Sequence, residues 1–478
     1  MNQRELMVRI ALPRGNLRPI LAQMLGDIDF QVPDYDSESR ALRFNVSGLD
    51  NSTVRVFSDR DIPIQVALGN YDLAICSRTS IDELLTRYPQ ESIVPLKRLD
   101  VEMNRDITEQ PQLVLAGSEN SNIDFLATDL VSTITTEFPN IALRFLTELC
   151  ARNYRILDVW AKPESWPPED ATFAIADRAA ALKEGLKIIA RVHDGGVWLI
   201  ANKQSLSHKN LSKPLEQLLR LPTQESGIGL VPPKRLIRAE IEATKFIEEI
   251  NYRDSILRIA VPDGHAQRHT VAALEDAGLH FEGYTTSDTV RRPISSDPNI
   301  QIKVFRPQDM PRAVSLGLFD IAMTGRDWLM NFLASYPEAP VEELVDLKRS
   351  EYRLGAVVSK DLGAESLEHA INIWRTNNPD YVIRVASEYA SLADKYARTK
   401  KLGRYSVIPI SGASEGFVPE DAEILIEGTE TGASLAANNL MMLDVMIEST
   451  NCIIGRIGEY SEVQTRTLRA LVEKFAVA

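Results

Sequence analysis

Val8-Arg9-Ile10-Ala11-Leu12-Pro13-Arg14-Gly15 stands near the start of the chain, and Leu257-Arg258-Ile259-Ala260-Val261-Pro262-Asp263-Gly264 stands about 250 positions later. In both, an apolar run of strand length ends in a proline, a charged residue and a glycine. Further pairs keep the register. Asp61-Ile62-Pro63 with Gly69 and Asp72 is echoed by Asp309-Met310-Pro311 with Gly317 and Asp320. Tyr88-Pro89 is echoed by Tyr336-Pro337, and Leu96-Lys97-Arg98 by Leu347-Lys348-Arg349. Matches at one near-constant offset mark a tandem duplication, and the period is far too long for a solenoid, so each copy is a whole globular unit.

The chain has 478 residues, room for two to four domains with their own cores. Hydrophobic residues make up 44% and charged residues 25%, as in ordinary globular proteins. A net charge of -14 argues against nucleic acid or an anionic membrane as partner, yet leaves small anionic substrates open. Three scattered cysteines, Cys76, Cys150 and Cys452, fit a reducing compartment. The N-terminus lacks a signal-peptide pattern and no run is long enough to span a bilayer, so a cytoplasmic protein is expected.

Short apolar runs alternate with helical patterns. Strands are predicted at Leu6 to Leu12, Thr53 to Phe57 and Tyr71 to Cys76, with helices at Asn16 to Leu25 and Ile62 to Leu68. The second copy repeats this with Ile256 to Val261, Ile300 to Phe305, Met310 to Leu316 and Phe319 to Thr324. Such alternation predicts an α/β fold with parallel-rich sheets flanked by helices. Pro111 to Gly117 and Tyr352 to Val358 read as strands entering a second lobe, with the chain returning near Gly196 and Asn451. Two lobes joined by two crossings enclose a cleft. The expected division is residues 1–222, a linker with an acidic helix at 223–255, and residues 256–478.

The sharpest chemical signal is Ile424-Leu425-Ile426-Glu427-Gly428-Thr429-Glu430-Thr431-Gly432-Ala433-Ser434-Leu435. A strand pattern runs into a Thr-Gly-x-Ser turn, and a helical pattern is read from Leu435 to Ile447. Glycine lets the backbone approach an anion, the first helix amides point at it, and Thr431 and Ser434 add hydroxyls. Glu427 and Glu430 suit ribose hydroxyls or a magnesium ion. The plain alternative is that Thr431 or Ser434 only caps the helix.

Upstream lies Gly412-Ala413-Ser414-Glu415-Gly416 and downstream Ala437-Asn438-Asn439-Leu440. With the Leu-Pro-basic-Gly, Arg-Asp-x-Pro and Gly-x-x-Asp elements, this ordered set resembles the catalytic core of the ATP phosphoribosyltransferase family, in both copies. The resemblance implies periplasmic-binding-protein-like (type II) lobes with the active site between them. It implies joining N1 of the ATP adenine to C1 of phosphoribosyl pyrophosphate, with Mg2+ present and pyrophosphate released. This is the first step of histidine biosynthesis. Such a reaction rests on positioning and electrostatics rather than acid–base chemistry. The six histidines show no cluster along the sequence, so no side-chain metal centre is expected; magnesium comes with substrate, Glu427 being its candidate partner.

By the same resemblance, phosphoribosyl pyrophosphate falls to Glu415, Glu427, Thr429, Glu430, Thr431, Gly432, Ala433 and Ser434 of the second copy. The first copy has Ala176-Asp177-Arg178-Ala179 there and lacks the Thr-Gly pair. The first lobe is biased the other way: copy one has Arg14 and Arg60 where copy two has Asp263 and Gln308, though copy two keeps Thr324-Gly325-Arg326-Asp327. Arg40 and Arg292 match a family arginine that reaches a neighbouring subunit's site. The expected ATP and pyrophosphate contacts are therefore Arg14, Arg40, Arg60, Arg292, Thr324 and Asp327, in one composite site per chain. Alternatives are a silent phosphoribosyl- or nucleotide-binding regulator, transfer to another acceptor, and a solute-binding protein. After the second core only one helix is read, Ser461 to Phe475. Short-form members of the family pair with a histidyl-tRNA-synthetase-like regulatory subunit, so the resemblance implies either such a partner or missing feedback control, and the fused pair either stands alone as a pseudodimer or forms a homodimer.

Overall fold

In the first copy the strands are β1 (Val8–Pro13), β2 (Arg43–Asn45), β3 (Ser52–Phe57), β4 (Leu73–Ser77), β5 (Ile93–Leu99), β6 (Gln112–Gly117), β7 (Ser132–Thr136), β8 (Tyr154–Asp158), β9 (Phe173–Asp177), β10 (Lys187–Asp194) and β11 (Val197–Asn202). They form two sheets, ordered β2-β3-β1-β4-β11-β5 and β10-β6-β9-β7-β8. The second copy supplies β12 (Leu257–Pro262), β13 (Phe281–Tyr284), β14 (Thr289–Ser295), β15 (Ile300–Phe305), β16 (Ile321–Gly325), β17 (Val341–Asp346), β18 (Tyr352–Ser359), β19 (Ile383–Ser387), β20 (Tyr405–Pro409), β21 (Ile424–Thr429), β22 (Leu440–Ser449) and β23 (Asn451–Arg456). Its sheets run β15-β12-β16-β23-β17 and β20-β19-β21-β18-β22, with the hairpin β13-β14 apart. Leaving out β2, the orders are the same in both copies once the second sheet is read from its other edge.

The computed structural model describes residues 7–35, 41–49, 51–89, 92–101, 112–223, 256–286, 289–412, 414–458 and 460–477. They fall into two units, Met1–Ile241 with Ser411–Gly416, and Glu242–Ile410 with Phe417–Ala478. Within the first unit the Ser411 amide donates to the Asp61 carboxylate at 3.1 and 3.0 Å. The expected linker helix lies outside the described residues.

The opening motif becomes the central strand of each first lobe. β1 pairs in parallel with β3 and β4, and β12 with β15 and β16. A strand covered on both faces reads as a near-continuous apolar run, which is why Leu257-Arg258-Ile259-Ala260-Val261-Pro262 is buried along its whole length. The returning strands β11 and β23 pair antiparallel with β4 and β16, because the chain comes back from the second lobe. Each Gly-x-x-Asp aspartate serves this strand: Asp72 accepts the Arg9 amide at 2.8 Å, and Asp320 the Arg258 amide at 2.7 Å. The turn after the strand is held alike in both copies. The Tyr35 hydroxyl donates to the Pro13 carbonyl at 2.7 Å, and the Tyr284 hydroxyl to the Pro262 carbonyl at 2.6 Å.

The two lobes of each copy are joined helix to helix. In the first, Glu83 of helix Arg78–Arg87 accepts the Asn140 and Ile141 amides, both at 2.9 Å, at the start of helix Pro139–Glu148. In the second, Asn331 of helix Arg326–Ser335 accepts the Leu392 amide at 3.2 Å, in helix Ala390–Thr399.

One element differs from the reading of the sequence. The helix expected from Leu435 to Ile447 is only Ala433–Ala437; Asn439 turns to φ 58°, and the chain becomes β22. β22 pairs antiparallel with β18 from Leu440↔Ser359 to Ser449↔Tyr352. An apolar run of this length has no unambiguous period, and the open edge of β18 decides it.

Candidate phosphate-binding loop and its surroundings

β21 delivers the loop to the end of its sheet. Gly428 is glycine because the ring of Tyr352 packs where a Cβ would stand. Glu427 is half-buried and accepts the amide of Gly428 at 2.9 Å. Thr429 is buried, and its hydroxyl accepts the Gly432 amide at 2.7 Å, closing the turn. Thr431 accepts the Ala433 amide at 3.4 Å. Gly432 is left-handed at φ 76°, and no atom lies within 4 Å of the position its Cβ would take. Thr431, Ala433 and Ser434 are exposed. The Gly432 and Ala433 amides are thus held by threonine hydroxyls rather than by a carboxylate, and the exposed Thr431 and Ser434 side chains face open space. The helix behind it has five residues, so its dipole contributes less than the longer expected helix would.

The matching loop of the first copy is closed on itself. Asp177 ends β9, and one of its oxygens accepts the Ala179 and Ala180 amides at 3.0 and 3.2 Å. The amides that an anion would need are taken by the protein's own carboxylate. Beside it lies a cavity of about 270 Å3 lined by Glu137, Phe138, Lys162, Glu164 and Asp177 among others. Burial pushes the Glu164 carboxyl up to about 7, with Glu137, Glu184 and Asp177 adding to the rise. This cleft disfavours polyanions.

The first-lobe candidates separate. Arg14 is exposed beyond the Pro13 turn. Arg60 lies 3.9 Å from Glu137 and 5.9 Å from the centre of the Phe138 ring, bridging the lobes of its own copy. Arg40 lies outside the described residues. Arg292 is half-buried on β14 and already engaged. Thr324 is buried and donates to the Pro307 carbonyl at 3.0 Å. Asp327 is buried; the Ser449 hydroxyl accepts its amide at 3.2 Å and donates to its carboxylate at 3.1 Å. Burial raises the Asp327 carboxyl above the usual range against hydrogen bonds from Tyr352, Tyr389 and Ser449. Thr324 and Asp327 are thus committed to internal hydrogen bonds. Glu415 falls in the segment grouped with the first unit, where the Ser414 hydroxyl donates to it at 3.3 Å.

Three features were not read from the sequence. Asp263, a carboxylate where a cation was expected, is buried between Arg291 at 3.1 Å and Arg306 at 3.3 Å. Burial raises its pKa, opposed by Arg306. Arg291 and Arg306 sit on neighbouring strand ends and had no motif to mark them. The second is Glu164, whose environment only the folded cleft creates. The third corrects the expectation that histidines do not cluster. His265 and His269 converge with Glu430, one donor atom of each lying within 4.8 Å of the others. Their four-residue spacing was the available signal. His269 is held below its ordinary pKa, by burial first and Arg268 next.

A family model described as ATP phosphoribosyltransferase matches residues 58–221 and 306–476, one stretch in each copy and together well over half the chain. The ATP phosphoribosyltransferase of Chlorobium phaeobacteroides is 29% identical over 208 residues, covering 44% of this chain and 66% of that protein. That of Desulforudis audaxviator is 31% identical over 199 residues, covering 40% and 62%. The chain thus spans just under two thirds of the length of these relatives. An ATP phosphoribosyl transferase complex from Thermotoga maritima aligns with 47% of this chain at 20% identity and a TM-score of 0.37, too low to bear on the fold. With the motifs, the duplicated two-lobe topology and the family match in agreement, the chain belongs to the ATP phosphoribosyltransferase family.

Proposed function

We propose that the chain joins ATP and phosphoribosyl pyrophosphate to give phosphoribosyl-ATP and pyrophosphate, the opening step of histidine biosynthesis. The observation that carries this reading is the contrast between the two loops. The Gly432 loop is exposed and has room at its left-handed glycine, whereas Asp177 caps its own amides. In this reading Thr431, Gly432, Ala433 and Ser434 hold the 5-phosphate of the ribose. Glu427 takes ribose hydroxyls and, as an oxygen donor, suits the magnesium that accompanies the substrate. Bound magnesium offsets charge on the departing pyrophosphate. The chain's own part is to hold two polyanions in line and to keep the reacting centre dry. Arg14 and Arg40 are assigned to the pyrophosphate or triphosphate because the second copy has lost a cation at the Arg14 position.

Asp263 and Gln308 favour a second reading, a phosphoribosyl-binding relative without turnover. The test is pyrophosphate release from phosphoribosyl pyrophosphate and Mg2+, with and without ATP, the product confirmed by mass spectrometry. ATP-dependent release that is lost in Gly432→Ala and in Arg40→Ala supports the enzyme and the role of the first copy. Binding without release selects the second reading.

A further inference from the structure

We propose that His265, His269 and Glu430 form a transition-metal site joining the first helix of the second copy to its phosphate loop. His265 and His269 stand one turn apart on helix His265–Asp276, a spacing that puts both imidazoles on one face. Glu430 comes from the second lobe of the same copy, directly after β21. His265 Nδ1 lies 3.7 Å from Glu430 Oε1, and His269 Nε2 lies 3.5 Å from the same oxygen. An ion with bonds of about 2.0–2.2 Å in tetrahedral geometry separates its ligand atoms by about 3.4 Å. The two imidazole–carboxylate distances therefore need to close by only a few tenths of an ångström, and the two imidazole donors, within 4.8 Å of each other, by at most about 1.4 Å, within reach of side-chain rotation on an exposed surface. Ser350 donates to Glu430 Oε1, the oxygen nearest both imidazoles, at 3.3 Å and helps to hold the carboxylate in place.

Two imidazoles and one carboxylate select Zn2+, Co2+, Ni2+ or Cu2+. Magnesium prefers an all-oxygen shell, so this site differs in chemistry from the one that serves the substrate and draws Glu430 away from the ribose. Its present occupant is a cation of another kind. Arg268 donates to His269 Nε2 at 3.1 Å and to Glu430 Oε2 at 3.3 Å, and its guanidinium lies 2.9 Å from His265 Nε2. Arg268 is more than half exposed, at 54%, so releasing it to solvent costs little. A bound ion displaces this guanidinium from His269 Nε2, the acceptor the two have in common, and ties the two lobes of the second copy together at the mouth of the loop.

The proposal stands on geometry alone, and its test needs no transferase activity. The full chain, freed of metal with a chelator, is titrated with Co2+ while its visible spectrum is recorded, and Zn2+ is then added. The expected result is one Co2+ per chain with a tetrahedral spectrum, displaced by Zn2+. Binding should weaken roughly tenfold or more in His265→Ala and in His269→Gln. Arg268→Ala should bind Co2+ more tightly than wild type, because the competing cation is gone. Melting temperatures of the metal-free variants show that each still folds. No stoichiometric binding by wild type, undiminished binding in the histidine variants, or weaker binding in Arg268→Ala overturns the site.

Discussion

Gly432 concentrates the functional reading in one backbone angle. At φ 76° an alanine is strained, yet its Cβ meets nothing within 4 Å. Gly432→Ala should therefore cost only about 1 kcal/mol of stability while cutting pyrophosphate release far more. Thermal melting beside the release assay checks both, and a variant as active as wild type sinks the loop assignment. Asp263 teaches the opposite lesson. The residue looked like a charge reversal in the active site, but it neutralises Arg291 and Arg306 in the protein interior. Asp263→Arg, which restores the family's cation at this position, should destabilise the protein by about 3 kcal/mol, because it removes a buried anion and adds a third cation. Urea unfolding measures this; a neutral result shows that the ion pairs carry no weight.

Between elements, the two copies reach one arrangement with different side chains. Glu83 caps helix Pro139–Glu148 through two backbone amides and the Asn140 side chain, whereas Asn331 accepts a single amide of helix Ala390–Thr399. Stacking of Trp328 on Tyr389, with ring centres 4.1 Å apart, adds to the second junction. Glu83→Ala strands several donors at once and should cost roughly 1–3 kcal/mol, Asn331→Ala about 1 kcal/mol or less. Comparing the two melting curves tests this; equal losses show that the carboxylate is not what joins the first copy's lobes. The short helix after Gly432 belongs here too. β22 won over a longer helix because β18 presented an edge that pairing could satisfy.

Across the molecule, the acidic cleft of the first copy makes stability depend on pH. Glu164 has a folded pKa of about 7 against an ordinary value of 4.5, so folding favours its protonated form. Its contribution is complete below about pH 4.5 and is lost as pH rises through about 7. Glu164→Gln mimics the protonated acid. The variant should match wild type near pH 4.5 and exceed it by roughly 1–2 kcal/mol at pH 8, allowing for solvent screening. Denaturant titrations at the two pH values check this, and a pH-independent difference rules out the buried-acid account. A cleft that gathers Glu137, Glu164 and Asp177 is a poor host for polyanions, so the contrast between the copies is electrostatic as well as conformational.

The duplication, the α/β class, both first-lobe central strands, the lobe crossings near Gly196 and Asn451 and the glycine turn at the end of β21 were legible in the chain itself. They rest on local signals: an apolar run of strand length, a proline and glycine at its end, a fixed offset between copies. The tertiary structure decided which charges matter. Asp263 meets Arg291 and Arg306, His265 and His269 meet Glu430, and Thr324 and Asp327 turn inward, because strands and helices distant in sequence bring those groups together. Periodicity records which face of an element is buried. It holds no information on which charge from another strand will stand opposite, and that partner sets whether a carboxylate supports the fold or serves a ligand.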